Sequence, residues 1–267
     1  MSLSKILSAE ALNDVLKSNS ASLRILDCTY QVGPKPDPKE FRQKYYGKFD
    51  ELFQRNSIQR QTYLKSHIPN ARHFDLDLAM YPGRFERFAL YEPEVFQQYA
   101  QLLGLYRDDQ IGNWLARDCR HKNITFEELT EKNGQQKDIL EKSDKFNLLD
   151  SRLRVHFNNE QECGLDAFVV PGCRIPGTHN VPSNELVGLD GLLLPQNEIK
   201  AKLSEVGFDE NKPTITLCNT GMQASLLSAV LDDVYPNAHV RLYNGSLKEM
   251  EIRAPERIND GVKPIAS

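Results

Sequence analysis

Apolar positions recur along this chain in two rhythms, short runs with a period of two and longer stretches with a period near 3.6, which predict strands and helices in alternation. The clearest case is Thr214-Ile-Thr-Leu217, where Ile215 and Leu217 alternate with threonines and predict a strand. Leu226, Leu227, Val230, Leu231 and Val234 follow at helical spacing. Between strand and helix lies Cys218-Asn-Thr-Gly-Met-Gln-Ala224, so a cysteine stands at the carboxyl end of a strand. The wider pattern occurs twice. Leu23-Arg-Ile-Leu-Asp27 matches Phe146-Asn-Leu-Leu-Asp150, Ser66-His-Ile-Pro-Asn-Ala71 matches Cys173-Arg-Ile-Pro-Gly-Thr178, and Phe96–Gly104 matches Ile199–Gly207, in the same order. Strand, loop, helix and strand at these separations predict an α/β fold of two parallel-sheet modules, each flanked by helices.

The halves then diverge. Gly207 and Gly245 enclose the strand, the cysteine loop, its helix and the strand His239-Val-Arg-Leu-Tyr243. After Gly104 only Leu105 to Ile111 precede Gly112-Asn-Trp-Leu115, which resembles Gly245-Ser-Leu-Lys248, so the first half is about 30 residues shorter. A parallel sheet cut in this way loses a central strand and its crossover helix, and the first module is expected to be incomplete. The expected division is 1–116 for that non-catalytic module, 117–145 for a charged linker and 146–267 for the complete one. Residues 33–63, proline-punctuated and rich in Arg, Lys, Gln and Tyr, are expected to form a solvated surface lobe.

Composition narrows the class. The chain has 267 residues, 40% of them hydrophobic and 26% charged, enough for two modest cores. A net charge of −4 supplies no basic surface for nucleic acid, and no apolar run reaches membrane-spanning length, so neither partner is expected. Five cysteines, with no CxxC pair and no disulfide-rich spacing, suit a reducing compartment. With Glu10 and Asp14 in place of a basic, acid-free leader, the cytosol is the default compartment and the mitochondrion the alternative.

Cys218 carries the chemistry. Successive backbone N–H groups after it, with the first turn of the following helix, form an anion cradle that favours the thiolate, the nucleophilic form. Gly221 suits the tight bend. The alternative is a buried, inert strand-end cysteine. Cysteine phosphatases place an arginine six positions after the cysteine to grip phosphate; Ala224 stands there, and no Lys or Arg occurs between Cys218 and Arg241. Phosphoryl chemistry is disfavoured on that ground.

The loop Cys218-Asn219-Thr220-Gly221-Met222-Gln223-Ala224 resembles the persulfide loop of rhodaneses, the family that includes thiosulfate and 3-mercaptopyruvate sulfurtransferases. The Ile-Pro-Gly turn and Asp150-Ser151-Arg152 also occur in that family, and the resemblance covers most of the chain. It implies that Cys218 thiolate takes a sulfane sulfur from a small donor, holds it as a persulfide on the loop amides of residues 219–224, and passes it to a thiol, cyanide or thioredoxin-like acceptor. No metal or organic cofactor is implied. The thiosulfate branch has basic residues at the two positions after the cysteine; Asn219 and neutral Thr220, whose hydroxyl matches a serine of the mercaptopyruvate branch, point to 3-mercaptopyruvate or another organic donor. The family's anion-binding arginine aligns with His156, and Arg154 lies close enough in sequence to serve instead. Asp77 matches a first-module carboxylate that can lie across the cleft from the persulfide loop, or is an ordinary strand-end acid. The branch histidine that follows is here Phe88. Arg152 is expected to be structural. Two other classes remain open, a persulfide carrier of low turnover and a non-enzymatic scaffold.

Overall fold

The structure is a computed structural model that describes residues 7–17, 24–106, 120–132, 134 and 137–265. Two compact units divide the chain, one within Met1–Arg84 and Phe88–Asp118, the other within Phe85–Arg87 and Cys119–Ser267. The turn expected at Gly112–Leu115 and Cys119 lie outside the described residues. No helix among those described is long and apolar enough to cross a membrane.

In the first unit the described elements are α1 (Ala9–Lys17), β1 (Leu26–Asp27), α2 (Pro38–Lys44), α3 (Phe49–Gln54), α4 (Ile58–Lys65), β2 (Arg72–His73), α5 (Leu76–Ala79) and α6 (Pro93–Leu102). β1 and β2 pair in parallel, Leu26 opposite Arg72 and Asp27 opposite His73. The segment expected to be a solvated lobe is instead three helices. Asp37 caps α2 by accepting from Glu40 N at 2.7 Å with Pro38 at the first position, and Ser57 caps α4. Phe41, Phe49 and Leu52 are buried against Leu78, Tyr91 and Tyr99. The charged residues cover the outside of an aromatic core, which is why the composition looked like surface.

The second unit contains α7 (Phe126–Thr130), β3 (Asn147–Asp150), α8 (Arg154–Phe157), β4 (His179–Asn180), α9 (Gln196–Glu205), β5 (Thr214–Leu217), α10 (Met222–Val234), β6 (Val240–Leu242) and α11 (Ser246–Arg253). Its sheet has the order β4-β3-β5-β6 and every pair is parallel. β3 and β5 are buried at all their positions, as central strands covered on both faces must be. Leu149 and Val240 join α9 and α10 on one face, through Leu203, Leu227 and Leu231. Leu148, Ile215 and Leu217 face the other way, onto Leu247 and Met250 of α11. The threonines of β5 are satisfied: Thr216 shares a 2.7 Å hydrogen bond with Ser228 of α10, and Thr214 accepts one from Asn147.

Residues 120–145, read from sequence as a linker, belong to this unit. Ile124, Leu129 and Leu140 are core residues among the charges. Ile124 N donates to Leu242 O, and Asn123 bridges Leu242 in parallel, extending the sheet beyond β6. Arg241 reaches back to Asn123 O and Glu128.

Candidate functional site

The site is built at the carboxyl edge of the second unit's sheet. β5 ends at Leu217, whose carbonyl accepts from both the backbone N–H and the hydroxyl of Ser151 at the end of β3. The next residue, Cys218, is 1% exposed. Gly221 N–H donates to Cys218 Sγ at 3.1 Å and so bends the loop back over the sulfur. Gly221 has φ +89°, and a Cβ there would stand 2.4 Å from Asn244 Oδ1 and 2.8 Å from Asn244 O. Only glycine fits the bend.

The N-terminus of α11 orients the rest of the loop. Leu247 N–H donates to Cys218 O at 3.0 Å and Lys248 N–H to Asn219 O at 3.1 Å. N–H and C=O of a trans peptide point in opposite directions, so tying these carbonyls to α11 turns the N–H groups of Asn219 and Thr220 away from it. Neither of those two N–H groups has an acceptor among the described residues. Together with Gly221 N–H they make a neutral, preorganised anion cradle. Met222 and Gln223 open α10 half-buried, and Ala224 packs inward at 0% exposure.

The wall beside the loop is strapped to it. Asn219 Nδ2 donates to Cys163 O at 2.9 Å. Lys248 gives its ammonium to Gly164 O and to Glu251, whose other carboxylate oxygen takes Asp166 N–H. Behind Gly245, burial pushes both the Tyr243 phenol and the Glu249 carboxyl up, although Glu249 also accepts from Arg253.

Arg152 is fully buried, with both Nε and Nη2 on Asp150 and Nη2 on Cys173 O, the structural part the sequence implied. Asn180 braces the same corner through Asp150 O and Arg152 O. Arg154 departs from expectation. Its fork closes on Glu185 at 3.0 and 2.7 Å and lines a small pocket with Asn180, Pro182, Lys202 and Glu205. The acid that captures it follows β4, and the bond holds Glu185 below the usual carboxylate range. His156 lies half-buried on α8, its imidazole without a hydrogen-bond partner among the described residues. Asp77 belongs to the first unit, where it accepts from Tyr30 OH at 3.1 Å; Asp75 caps α5. Phe88 is buried there against Tyr30. Ser246, which no sequence pattern singled out, accepts Cys218 N–H at 3.1 Å. No group of three or more His, Cys, Asp or Glu among the described residues is placed to hold a metal ion.

Comparison with known proteins agrees with this geometry. The family described as rhodanese-like domain matches residues 132–252. The Caenorhabditis elegans protein mpst-1 is 39% identical over 322 aligned positions, covering 98% of each chain. At least 55 of those positions face gaps in this chain of 267. The 3-mercaptopyruvate sulfurtransferase of Mus musculus is 35% identical over 126 residues, 45% of this chain and 41% of the mouse protein. The crystal structure of Tum1 from Saccharomyces cerevisiae superposes with a TM-score of 0.69 at 17% identity, covering 99% of this chain and 100% of Tum1.

Proposed function

Because the chain belongs to the rhodanese family of sulfurtransferases, we propose that it moves a sulfane sulfur from 3-mercaptopyruvate through a Cys218 persulfide to a thiol acceptor. The observation that carries this is the cradle: a thiol at a strand end with Gly221 N–H on its sulfur and two further amides turned free beside it. Cys218 thiolate attacks the donor sulfur, the donor's C–S bond breaks, and its electron pair leaves on carbon as the enolate of pyruvate, which takes up one proton. The persulfide's outer sulfur is then attacked by an acceptor thiolate, which returns Cys218 as thiolate. The loop amides hold the negative charge at each stage.

With Arg154 engaged by Glu185, the donor's carboxylate falls to the unpartnered loop N–H groups and to His156. Thr220 offers its hydroxyl to the donor thiol. Cyanide and a thioredoxin-like thiol suit the same acceptor step, and a reducing compartment, cytosolic or mitochondrial, suits the free thiol. The test is intact mass after mixing with 3-mercaptopyruvate. A gain of one sulfur atom that disappears in Cys218→Ser supports the assignment, and an unchanged wild-type mass refutes it.

We propose as well that the first module is shortened. Two observations support this: its described residues form two strands where the second unit has four, and the alignment with mpst-1 leaves many positions unmatched. Inserting about 30 residues copied from 208–244 between Leu105 and Gly112, with serine for the cysteine, tests it. The repaired chain should melt higher and turn over faster; equal melting and turnover would show that nothing is missing.

A further inference from the structure

Three non-glycine residues among those described adopt left-handed backbone, Asn70, Asn159 and Ser246. Two are asparagines, the type that tolerates that conformation; a serine with φ +52° is not explained by its own preferences. Ser246 is also 0% exposed, so no water competes for its hydroxyl. That hydroxyl donates to Tyr243 O at 2.7 Å and accepts from Cys218 N at 3.1 Å. Its one proton is committed to Tyr243, so a lone pair is held toward Cys218 N–H. Backbone strain kept in a buried corner next to a reactive thiol points to a role at that thiol.

Geometry shows what the role is. Cys218 is held on both sides of its α-carbon: its N–H by Ser246 Oγ and its C=O by Leu247 N–H, the next residue in the chain. Left-handed backbone at Ser246 is what lets one short corner present a side-chain oxygen to the first group and a main-chain N–H to the second. With both peptides fixed, the Cα–Cβ direction of Cys218 is fixed, and the sulfur stays within 3.1 Å of Gly221 N.

Resting on the sulfur-transfer function proposed above, we infer that Ser246 is a positioning residue: its hydroxyl fixes the Cys218 backbone so that the loop amides converge on the sulfur. It touches neither donor nor acceptor. Its loss acts on the rate at which sulfur is loaded and leaves the donor's half-saturating concentration in place, because the cradle stays present while the sulfur is held loosely within it.

Ser246→Gly and Ser246→Ala separate this from a purely structural role. Both remove the hydroxyl; glycine relieves the left-handed backbone and alanine keeps it. Single-turnover persulfide formation with 3-mercaptopyruvate is measured with thermal unfolding, and alkylation of Cys218 by iodoacetamide is followed as a readout that needs no sulfur donor. The maximal loading rate should fall about tenfold in both variants, with half-saturation within about twofold of the parent. Alkylation of Cys218 should slow in both, while the melting temperatures diverge, Ser246→Gly holding near the parent and Ser246→Ala falling. Parental loading and alkylation in Ser246→Gly would overturn the inference, since the corner would then need only its backbone shape. Rates that track melting temperature across the two variants would overturn it as well. Failure of the wild type to gain sulfur would instead refute the sulfur-transfer function, and the alkylation comparison would still decide whether Ser246 positions the thiol.

Discussion

Gly221→Ala is the sharpest test of the cradle, because its cost is set by atoms that cannot move aside. A Cβ at residue 221 would lie 2.4 Å from Asn244 Oδ1, which a rotamer change relieves, but also 2.8 Å from Asn244 O and 3.3 Å from Asn244 Cα, which only a backbone shift relieves. Alanine must further adopt φ near +89°. Left-handed backbone costs about 1–2 kcal/mol and overpacking about 1–3 kcal/mol, so Gly221→Ala should destabilise by about 2–5 kcal/mol. For a chain of this size that lowers the melting temperature by about 4–20 °C. The shift also pulls Gly221 N–H off Cys218 Sγ, and removal of one preorganised donor slows such chemistry by about 10²-fold. Thermal unfolding and the rate of persulfide formation by intact mass report the two effects separately. Adding Asn244→Ala removes the side-chain clash and leaves the carbonyl, so it should recover part of the stability and little of the rate. A Gly221→Ala protein that melts with the parent and loads sulfur at the parental rate would show that the bend is not needed.

Converting Asn219 and Thr220 together to Arg and Lys should raise thiosulfate turnover relative to 3-mercaptopyruvate; an unchanged donor ratio would place specificity outside the loop. Asp150→Asn leaves the buried Arg152 guanidinium without its charge partner and should cost about 3–5 kcal/mol in denaturant unfolding, against the sub-kcal/mol effect of a neutral surface change. Burial raises the Glu249 carboxyl above its ordinary value of 4.5, so the folded state holds that proton more tightly and loses stability as pH rises through the raised value. The stability of Glu249→Gln relative to the parent should therefore climb from about pH 4 upward across that titration, and a difference independent of pH would contradict the assignment. Iodoacetamide at neutral pH should label Cys218 before exposed Cys28, whose thiol is pushed up by desolvation and by the Asp27 charge; the reverse order would argue against an activated loop thiol.

The strand, loop and helix around Cys218 were legible because each rests on local pattern: alternation in Thr214–Leu217, helical spacing after Met222, and a glycine where the chain must turn left-handed. The Asp150–Arg152 pair was legible because its partners are two residues apart. What failed was non-local. Three short helices between Pro38 and Lys65 bury only Phe41, Phe49, Leu52 and the polar Gln59 among many charges, and no window shows a strong helical period. Ile124, Leu129 and Leu140 are too widely spaced in sequence to announce that residues 120–145 complete the second core. The capture of Arg154 by Glu185 crosses 31 positions and the strand β4. Ser246 looks in sequence like an ordinary helix-start serine; its link to Cys218, 28 residues away, exists only once β5 and β6 lie side by side.

The charge balance around Cys218 is what supports 3-mercaptopyruvate as the proposed donor. The group aimed at the sulfur, Gly221 N–H, is a neutral amide, and the first two cations that follow in sequence are engaged elsewhere, Arg241 by Glu128 and Asn123 O and Lys248 by Glu251 and Gly164 O. Neutral dipoles converging in a buried site stabilise one negative charge well, but a second charge a few ångströms away is resisted when no cation accompanies it. Sulfur transfer from thiosulfate expels sulfite, a dianion in the same space as the new persulfide. Transfer from 3-mercaptopyruvate expels an enolate that a single proton converts to a ketone, so only the carboxylate's charge departs with it. With Asn219 strapped to Cys163 and Thr220 presenting a hydroxyl, the loop supplies hydrogen bonds and no formal charge. A basic pair at 219 and 220 would supply the missing charge, so donor preference in this fold follows from two side chains set on an otherwise unchanged cradle of backbone amides.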